Sequence, residues 1–362
     1  MASKGQPRRV KLEDVAILAG TSTATASRAL SGKGPVSPET RKRVLEAMEH
    51  LNYRPNLYAK GLRQQSSFNI GLVIPNLLNP YYISLADNIS QLLAGTGYYL
   101  LLSATRDNSD TEQGVILDLI GQNINGLLWV PSEPNQELLD YLQAQHIPTV
   151  SLVRRLPGDL TDTVVFEDFN GSYAATEHLI KLGHRRIGYI GGDIKHSSNQ
   201  ARWQGYLAAM RDAGIPSNEE LVRLGAPQST WGEVATVELL HVASPPTAIY
   251  AASNAIMPGV LRILRQYKIS IPDEVSLICF DDLDWFFFSV PSITAISISP
   301  AKLARTAVDL LFRRIKETDE AEKPAVFIEV NFELVLRNST VAPRQSHLRI
   351  SPYNSRSEEA NF

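Results

Sequence analysis

The spacing of apolar positions changes character near residue 68. Before it the pattern is helical. In "LEDVAILAG", Leu12, Val15, Ala16 and Ala19 fall on one helical face, and Gly20 is placed to stop the turn in the left-handed region. Ser22 predicts the cap of a second helix running from Thr23 to Leu30. Ser37-Pro38-Glu39 predicts the start of a third, with a serine cap, a proline in the first turn and a carboxylate near the positive helix end. Val44, Met48 and Leu51 form its apolar stripe, and Arg54, held out of helical geometry by the following proline, is expected to end it.

From Phe68 onward short apolar runs alternate with amphipathic segments. "NIGLVI", "YYLLLSA", "GLLWV", "TVSLV", "RIGYIGG", "TAIYAAS" and "VSLICFD" read as strands. "YISLADNISQLLAG", "YAATEHLIKLG" and "RWQGYLAAMRDAG" read as the helices between them. That alternation specifies parallel βαβ units covered on both faces. A single barrel and two doubly wound lobes both satisfy it. After "FELVLRNST" the segment 341–362 is polar, with prolines and serines, and is expected to be disordered.

Charge sharpens this division. The 362 residues carry a net charge of -3, but residues 1–66 hold twelve Lys/Arg against five Asp/Glu, a head of +7 on a body of -10. A basic head on an acidic body points to a polyanion that meets only the head. The composition, 44% hydrophobic and 20% charged, is that of a soluble globular chain. Met1 to Val10 lacks a signal-peptide core and no apolar run reaches membrane-spanning length, so no membrane partner is expected. The lone Cys279, in "VSLICFDD", excludes an internal disulfide framework and a multi-cysteine zinc site. A cytoplasmic protein is the expectation.

Helix, glycine turn and helix make a helix-turn-helix arrangement, whose second helix must press into the major groove of DNA. Thr23, Ala24, Thr25, Ala26 and Ser27 are small enough for close approach, hydroxyls can bond to phosphates or bases, and methyls can touch thymine. Arg28 can pair with phosphate or guanine. The same small residues would also suit a tight three-helix bundle, and "AGTSTATASRAL" alone does not choose. The basic head favours DNA.

"LEDVAILAGTSTATASRALSG", "VSPETRKRVLEAMEHLNYRPNLYAKGLR" and "IGLVIPNLLNPYY" resemble the lac repressor and galactose repressor family of bacterial transcription regulators. The likeness continues through "HLIKLGHRRIGYIGG", "ARWQGYLAAM" and "EVSLICFDDLDW" to "LVLRNST". It implies an N-terminal all-α helix-turn-helix domain plus an α/β effector domain of two doubly wound parallel-sheet lobes. The lobes would be similar to periplasmic binding proteins, with three chain crossings and an effector in the cleft. The implied boundaries are 1–54 for the head, 55–66 for a hinge helix and linker, 67–340 for effector binding and dimerisation, and 341–362 for the tail.

The resemblance implies that Thr23 and Ala24 choose bases while Ser22, Thr25, Ser27 and Arg28 anchor nearby. It implies a hinge helix in which Asn56 caps, Ala59 and Lys60 face the minor groove, and Leu62 is the wedge between central base pairs. Unstacking costs a few kcal/mol, offset by wrapping bent DNA. So short a helix, weakened by Gly61, is expected to order only on DNA. Lys11 departs from the family's hydroxyl cap on the first helix and would meet a phosphate instead.

For the effector, the resemblance implies Arg202 and Asp281 as polar contacts, Tyr81, Tyr82 and Trp285 as stacking walls, and Ser253-Asn254 in place of a common Asn-Asp pair. Asp281 also sits at the carboxyl end of an expected parallel strand, where such folds hold ligands. Surface salt bridges or core packing would equally use these residue types. Val153 stands where many relatives have aspartate, Glu167-Asp168 where Asp-Asn is common, and Pro258 inside a helix they leave unbroken. A sugar or sugar derivative is the expected effector, with a nucleobase as the alternative.

No GxSxG, P-loop or HExxH motif occurs, so an enzyme is not expected, nor a metal or cofactor. His184 reads as structural. Asp281-Asp282 could mimic a catalytic acidic pair but has no neighbouring nucleophile. A pure solute-binding sensor would lack the basic head. The tail has no leucine heptads. The expectation is a homodimeric, nucleoid-associated repressor on a near-palindromic operator.

Overall fold

A computed structural model describes residues 10–31, 34–53, 68–317 and 324–344. The chain divides into two units, Met1–Ser67 and Phe68–Phe362.

Among the described residues of the first unit three helices surround a small core: α1 (Leu12–Leu18), α2 (Thr23–Ser31) and α3 (Pro38–His50). Val15, Ala16, Ala19, Ala26, Ala29, Val44 and Ala47 are its buried members. Gly20 takes φ +62°, and Thr21 N–H reaches back to the Ala16 carbonyl at 3.0 Å, closing α1 as a left-handed residue does. Ser37 Oγ accepts from Thr40 N at 3.2 Å, capping α3. That helix ends before Arg54: Asn52 enters the left-handed region (φ +46°) and Tyr53 N–H bonds to the Met48 carbonyl. The stop is thus local and precedes the proline.

The second unit holds two six-stranded sheets. The first comprises β1 (Asn69–Ile74), β2 (Tyr99–Ala104), β3 (Gly126–Trp129), β4 (Thr149–Leu152), β5 (Asp162–Phe166) and β11 (Phe327–Val330), in the order β11-β5-β4-β3-β1-β2. The other comprises β6 (Ile187–Gly192), β7 (Val222–Gly225), β8 (Ala248–Ala251), β9 (Ser276–Phe280), β10 (Thr294–Ile298) and β12 (Phe332–Val335), in the order β12-β10-β9-β8-β6-β7. All pairings are parallel except β10 with β12. The two orders match strand for strand, so this is a pair of doubly wound lobes and not a barrel. The chain passes between them after β5, after β10 and between β11 and β12, three times in all. Strands β1, β3, β5, β6, β8 and β9 are buried along their whole length, as strands covered on both faces must be.

Two expectations change here. Pro258 lies in the first turn of the helix Met257–Gln266, where its missing N–H costs nothing, and does not break a helix interior. Residues 341–344 are ordered: Val341 O accepts from His184 Nε2 (2.8 Å) and Ser276 Oγ (3.0 Å), and Arg344 pairs with Asp273. The remainder of the expected disordered tail lies outside the described residues. His184, buried between Thr247 and this segment, is structural as expected.

Candidate nucleic-acid interface and ligand cleft

In the head, Ser22 Oγ accepts from Thr25 N at 3.1 Å and lies 2.9 Å from Thr25 Oγ1, so it caps α2. The small residues of α2 divide between two jobs. Ala26 and Ala29 are buried against α1 and α3, which accounts for part of the bareness by packing alone. Ser22, Ala24 and Arg28 are exposed, with Thr23, Thr25 and Ser27 half-buried. Arg28 folds along the helix, its Nε donating to Ala24 O at 3.3 Å. Lys11 occupies the N-cap of α1 without a side-chain cap. Asp14 Oδ2 instead accepts from the Lys11 backbone N at 2.8 Å. The hinge positions Asn56, Ala59, Lys60 and Leu62 lie outside the described residues.

In the body, the carboxyl ends of parallel strands gather the charged groups. Arg202, 5% exposed, donates from Nε to Asp168 Oδ1 (2.7 Å) and from Nη1 to Ala252 O (2.8 Å). Its Nη2 lies 3.6 Å from Asp281 Oδ1, and its guanidinium covers the Phe280 ring at 3.7 Å. Asn254 Nδ2 donates to Asp281 Oδ2 at 3.1 Å, so Asn254 orients that carboxylate. Ser253 Oγ is used locally, accepting from Ala255 N. Burial pushes the Asp168 carboxyl up to about 6 despite the facing arginine, and it raises Asp281 as well.

Tyr81 and Tyr82 enter from the opposite lobe, on the helix Pro80–Leu93, and pack edge to face against each other. Burial, then the negative charge of Asp281, pushes the Tyr81 phenol up. Among the described residues Tyr81 Oη and Asp281 Oδ1 are buried without a hydrogen-bond partner. Native interiors leave few such atoms, and Thr105, Ser132 and Tyr250 carry others among the described residues. Trp285 does not join them. Its indole packs edge-on against Phe286 in an aromatic run whose Phe287 and Phe288 are exposed.

Asp168, in sequence only a departure from the family's Asp-Asn pair, is the principal counter-ion of Arg202. Arg154 is buried and clasps Asp107 through Nη1 (2.5 Å) and Nη2 (3.3 Å), with Pro131 O as a third partner. His196 is buried close by. Burial, then the positive Arg154, lowers its pKa to about 4. Two contacts join the lobes beside this cluster, Arg155 N to Ser197 Oγ (2.7 Å) and Lys195 Nζ to Glu133 Oε1 (3.0 Å). The acidic pair is split: Asp282 is held bidentate by Arg337, at 2.8 and 2.6 Å, leaving Asp281 alone to face the arginine.

Residues 11–56 match the family described as bacterial regulatory proteins, lacI family, and residues 176–340 match a periplasmic binding protein-like domain. The HTH-type transcriptional repressor PurR of Actinobacillus pleuropneumoniae serotype 3 is 31% identical over 328 residues, covering 91% of this chain and 97% of that protein. PurR of Haemophilus influenzae strain PittEE is 30% identical over 328 residues, covering 91% and 98%. Among solved structures, a transcriptional regulator CelR–cellobiose complex superposes with a TM-score of 0.69 at 28% identity, covering 91% of this chain and 100% of that one. The lac repressor dimer bound to operator and the anti-inducer ONPF gives 0.81 at 24% identity, covering 92% and 100%, a likeness of fold. No helix among the described residues is long and apolar enough to cross a membrane.

Proposed function

Because this chain belongs to the lacI family of bacterial regulatory proteins, we propose that it is a homodimeric repressor whose hold on a near-palindromic operator is set by a small molecule between its lobes. The observation that carries this reading is the Ser22-capped α2, which turns exposed Ala24 and Arg28 outward on a head of charge +7. Thr23 and Ala24 read base edges. Thr25, Ser27 and Arg28 hold the helix to the groove, and Lys11 meets a phosphate. Asn56, Ala59, Lys60 and Leu62 form the hinge element that wedges the minor groove. A repressor works where its operator lies, in the cytoplasm on the nucleoid.

Arg202, Asp281, Asn254 and Tyr81 receive the effector, with Tyr82 as an apolar wall. Asp168 is kept for Arg202. A ligand group that donates to Asp281 Oδ1 and accepts from Tyr81 Oη fits the two orphaned atoms. Both a sugar hydroxyl and the N–H and carbonyl edge of a nucleobase meet that demand. The relatives named PurR make purines the first compounds to test, ahead of the sugar expected from sequence. Exposed Phe287, Phe288 and Val290 supply an apolar surface suited to a second copy of the chain.

The test is operator binding followed by fluorescence anisotropy across a salt series. Each neutralised phosphate releases counterions, so log affinity falls steeply and linearly with log salt. A flat response removes the phosphate assignments. Leu62→Ala weakens the operator complex while leaving ligand affinity unchanged.

A further inference from the structure

Phe68 is the first residue of the second unit, and the chain that reaches it comes from the basic head. Its backbone is left-handed, with φ +56°. Glycine, asparagine and aspartate enter that region readily, whereas a bulky aromatic residue there is an outlier that its surroundings must hold in place.

Two contacts hold it. Tyr99 N–H donates to Phe68 O at 2.8 Å, at the foot of the β1–β2 ladder. The Phe68 ring meets Tyr98 edge-on, with centroids 5.6 Å apart and planes at 68°, and Tyr98 in turn leans on Phe312 at 5.1 Å. Phe312 lies on the helix Pro300–Lys316, and it and Tyr98 both pack against the main core. One residue further on, Asn69 O accepts from Asn125 N at 2.7 Å, and β1 is buried along its whole length. The body is therefore anchored right up to Phe68, whose backbone sets the direction in which the chain leaves it. The hydrogen bond to Tyr99 would survive with any residue here, and asparagine would suit the turn better. What the aromatic side chain adds is the seat on Tyr98.

We infer that Phe68 is a positioning residue for operator binding: its ring, seated on a Tyr98 that Phe312 backs, fixes the direction in which the hinge leaves the body, so that two heads meet two half-sites together. This rests on the reading of the chain as a two-headed repressor. A second head already aimed at its half-site binds at a high effective concentration, and a tether free to swing dilutes it. Losing the ring therefore weakens the two-headed complex and leaves each head's own contact with DNA unchanged.

Fluorescence anisotropy tests this with the full chain and two duplexes, the near-palindrome enriched from a random pool and the same duplex with one arm scrambled. The wild type holds the palindrome at least about a hundredfold tighter than the single arm. Phe68→Asn, which keeps the turn and removes the ring, lowers palindrome affinity at least about tenfold. It binds the single arm as the wild type does, and its melting temperature stays near wild type. Phe68→Tyr keeps the ring and the wild-type ratio. A Phe68→Asn protein that retains that ratio overturns the inference, and so does a Phe68→Tyr protein that behaves like it. Equal loss on both duplexes, or a marked fall in melting temperature, makes the ring a packing residue and overturns it too. A wild type that binds both duplexes alike refutes the two-headed reading itself, and the inference with it, before any variant is compared.

Discussion

Arg202 Nε and Asp168 Oδ1 lie 2.7 Å apart, with both side chains almost wholly withdrawn from water. Asp168 is the arginine's hydrogen-bonded counter-ion, whereas Asp281 Oδ1 stands at ion-pair distance, 3.6 Å from Nη2, with no hydrogen bond among the described residues. Asp168→Ala leaves a buried cation short of its main partner. Loss of one member of a buried pair costs about 3–5 kcal/mol, so the urea midpoint falls sharply. An unchanged midpoint would show the pair to be incidental. Arg202→Ala strands two carboxylates at once, which makes Asp281→Asn the cleaner probe of effector binding.

His196 makes stability depend on pH. Its pKa is lowered from 6.5 to about 4 by burial and by Arg154, so the fold holds it neutral while the unfolded chain protonates it. The stability it contributes is therefore complete above about 6.5 and drains away as pH falls toward 4, by up to about 3 kcal/mol. The raised Asp168 acts in the opposite sense. Its stabilisation is present below 3.8 and is lost as pH rises through about 6. Chemical unfolding at pH 7.0 and 4.5 isolates the histidine: His196→Gln narrows the difference between the two, and an identical difference contradicts the assignment.

Helices Ser229–Leu240 and Met257–Gln266 cross at two glycines. A Cβ on Gly259 would overlap the Ser229 carbonyl, and one on Gly232 the Ile256 carbonyl. Backbone cannot step aside as a side chain can. Gly259→Ala should destabilise the body by about 1–3 kcal/mol, while Gly95→Ala, at an open turn of positive φ, costs less. Thermal unfolding ranks the two, and the reverse order would refute the packing argument.

Ser22 offers a separation of folding from DNA contact. Ser22→Ala removes the α2 cap at a cost of about 1 kcal/mol. Ser22→Asp keeps a capping oxygen and so preserves head stability, but it sets a negative charge on the exposed end of α2. If that end meets DNA, the aspartate variant melts like wild type and still loses operator affinity. Full operator affinity in Ser22→Asp would remove α2 from the interface.

Local signals were the legible ones. Gly20, Ser22 and Ser37 act within four residues of themselves, and all three do in the fold what their types predict. Uncharged, largely apolar runs stood out for the same reason, even in β3, β4, β8 and β9, which are only four or five residues long. Strands β7, β11 and β12 are incompletely buried and carry a charged residue among their apolar ones, which blurs their patterns into those of loops. The charge partnerships were hidden by distance. Asp168 and Arg202 are 34 residues apart, Asp107 and Arg154 47 apart, and no local periodicity relates them. Trp285 is itself exposed and packs edge-on against Phe286, beside the exposed Phe287 and Phe288.

The most direct measurement is selection of bound duplexes from a random pool by the purified full-length chain, followed by competition of the enriched sequence against its scrambled form. The account predicts a near-palindrome, bound at least about a thousandfold tighter than the scramble at physiological salt, with that ratio shifted by a ligand that Asp281→Asn no longer senses. Equal binding of enriched and scrambled duplexes, with and without the purine and sugar probes, would contradict it.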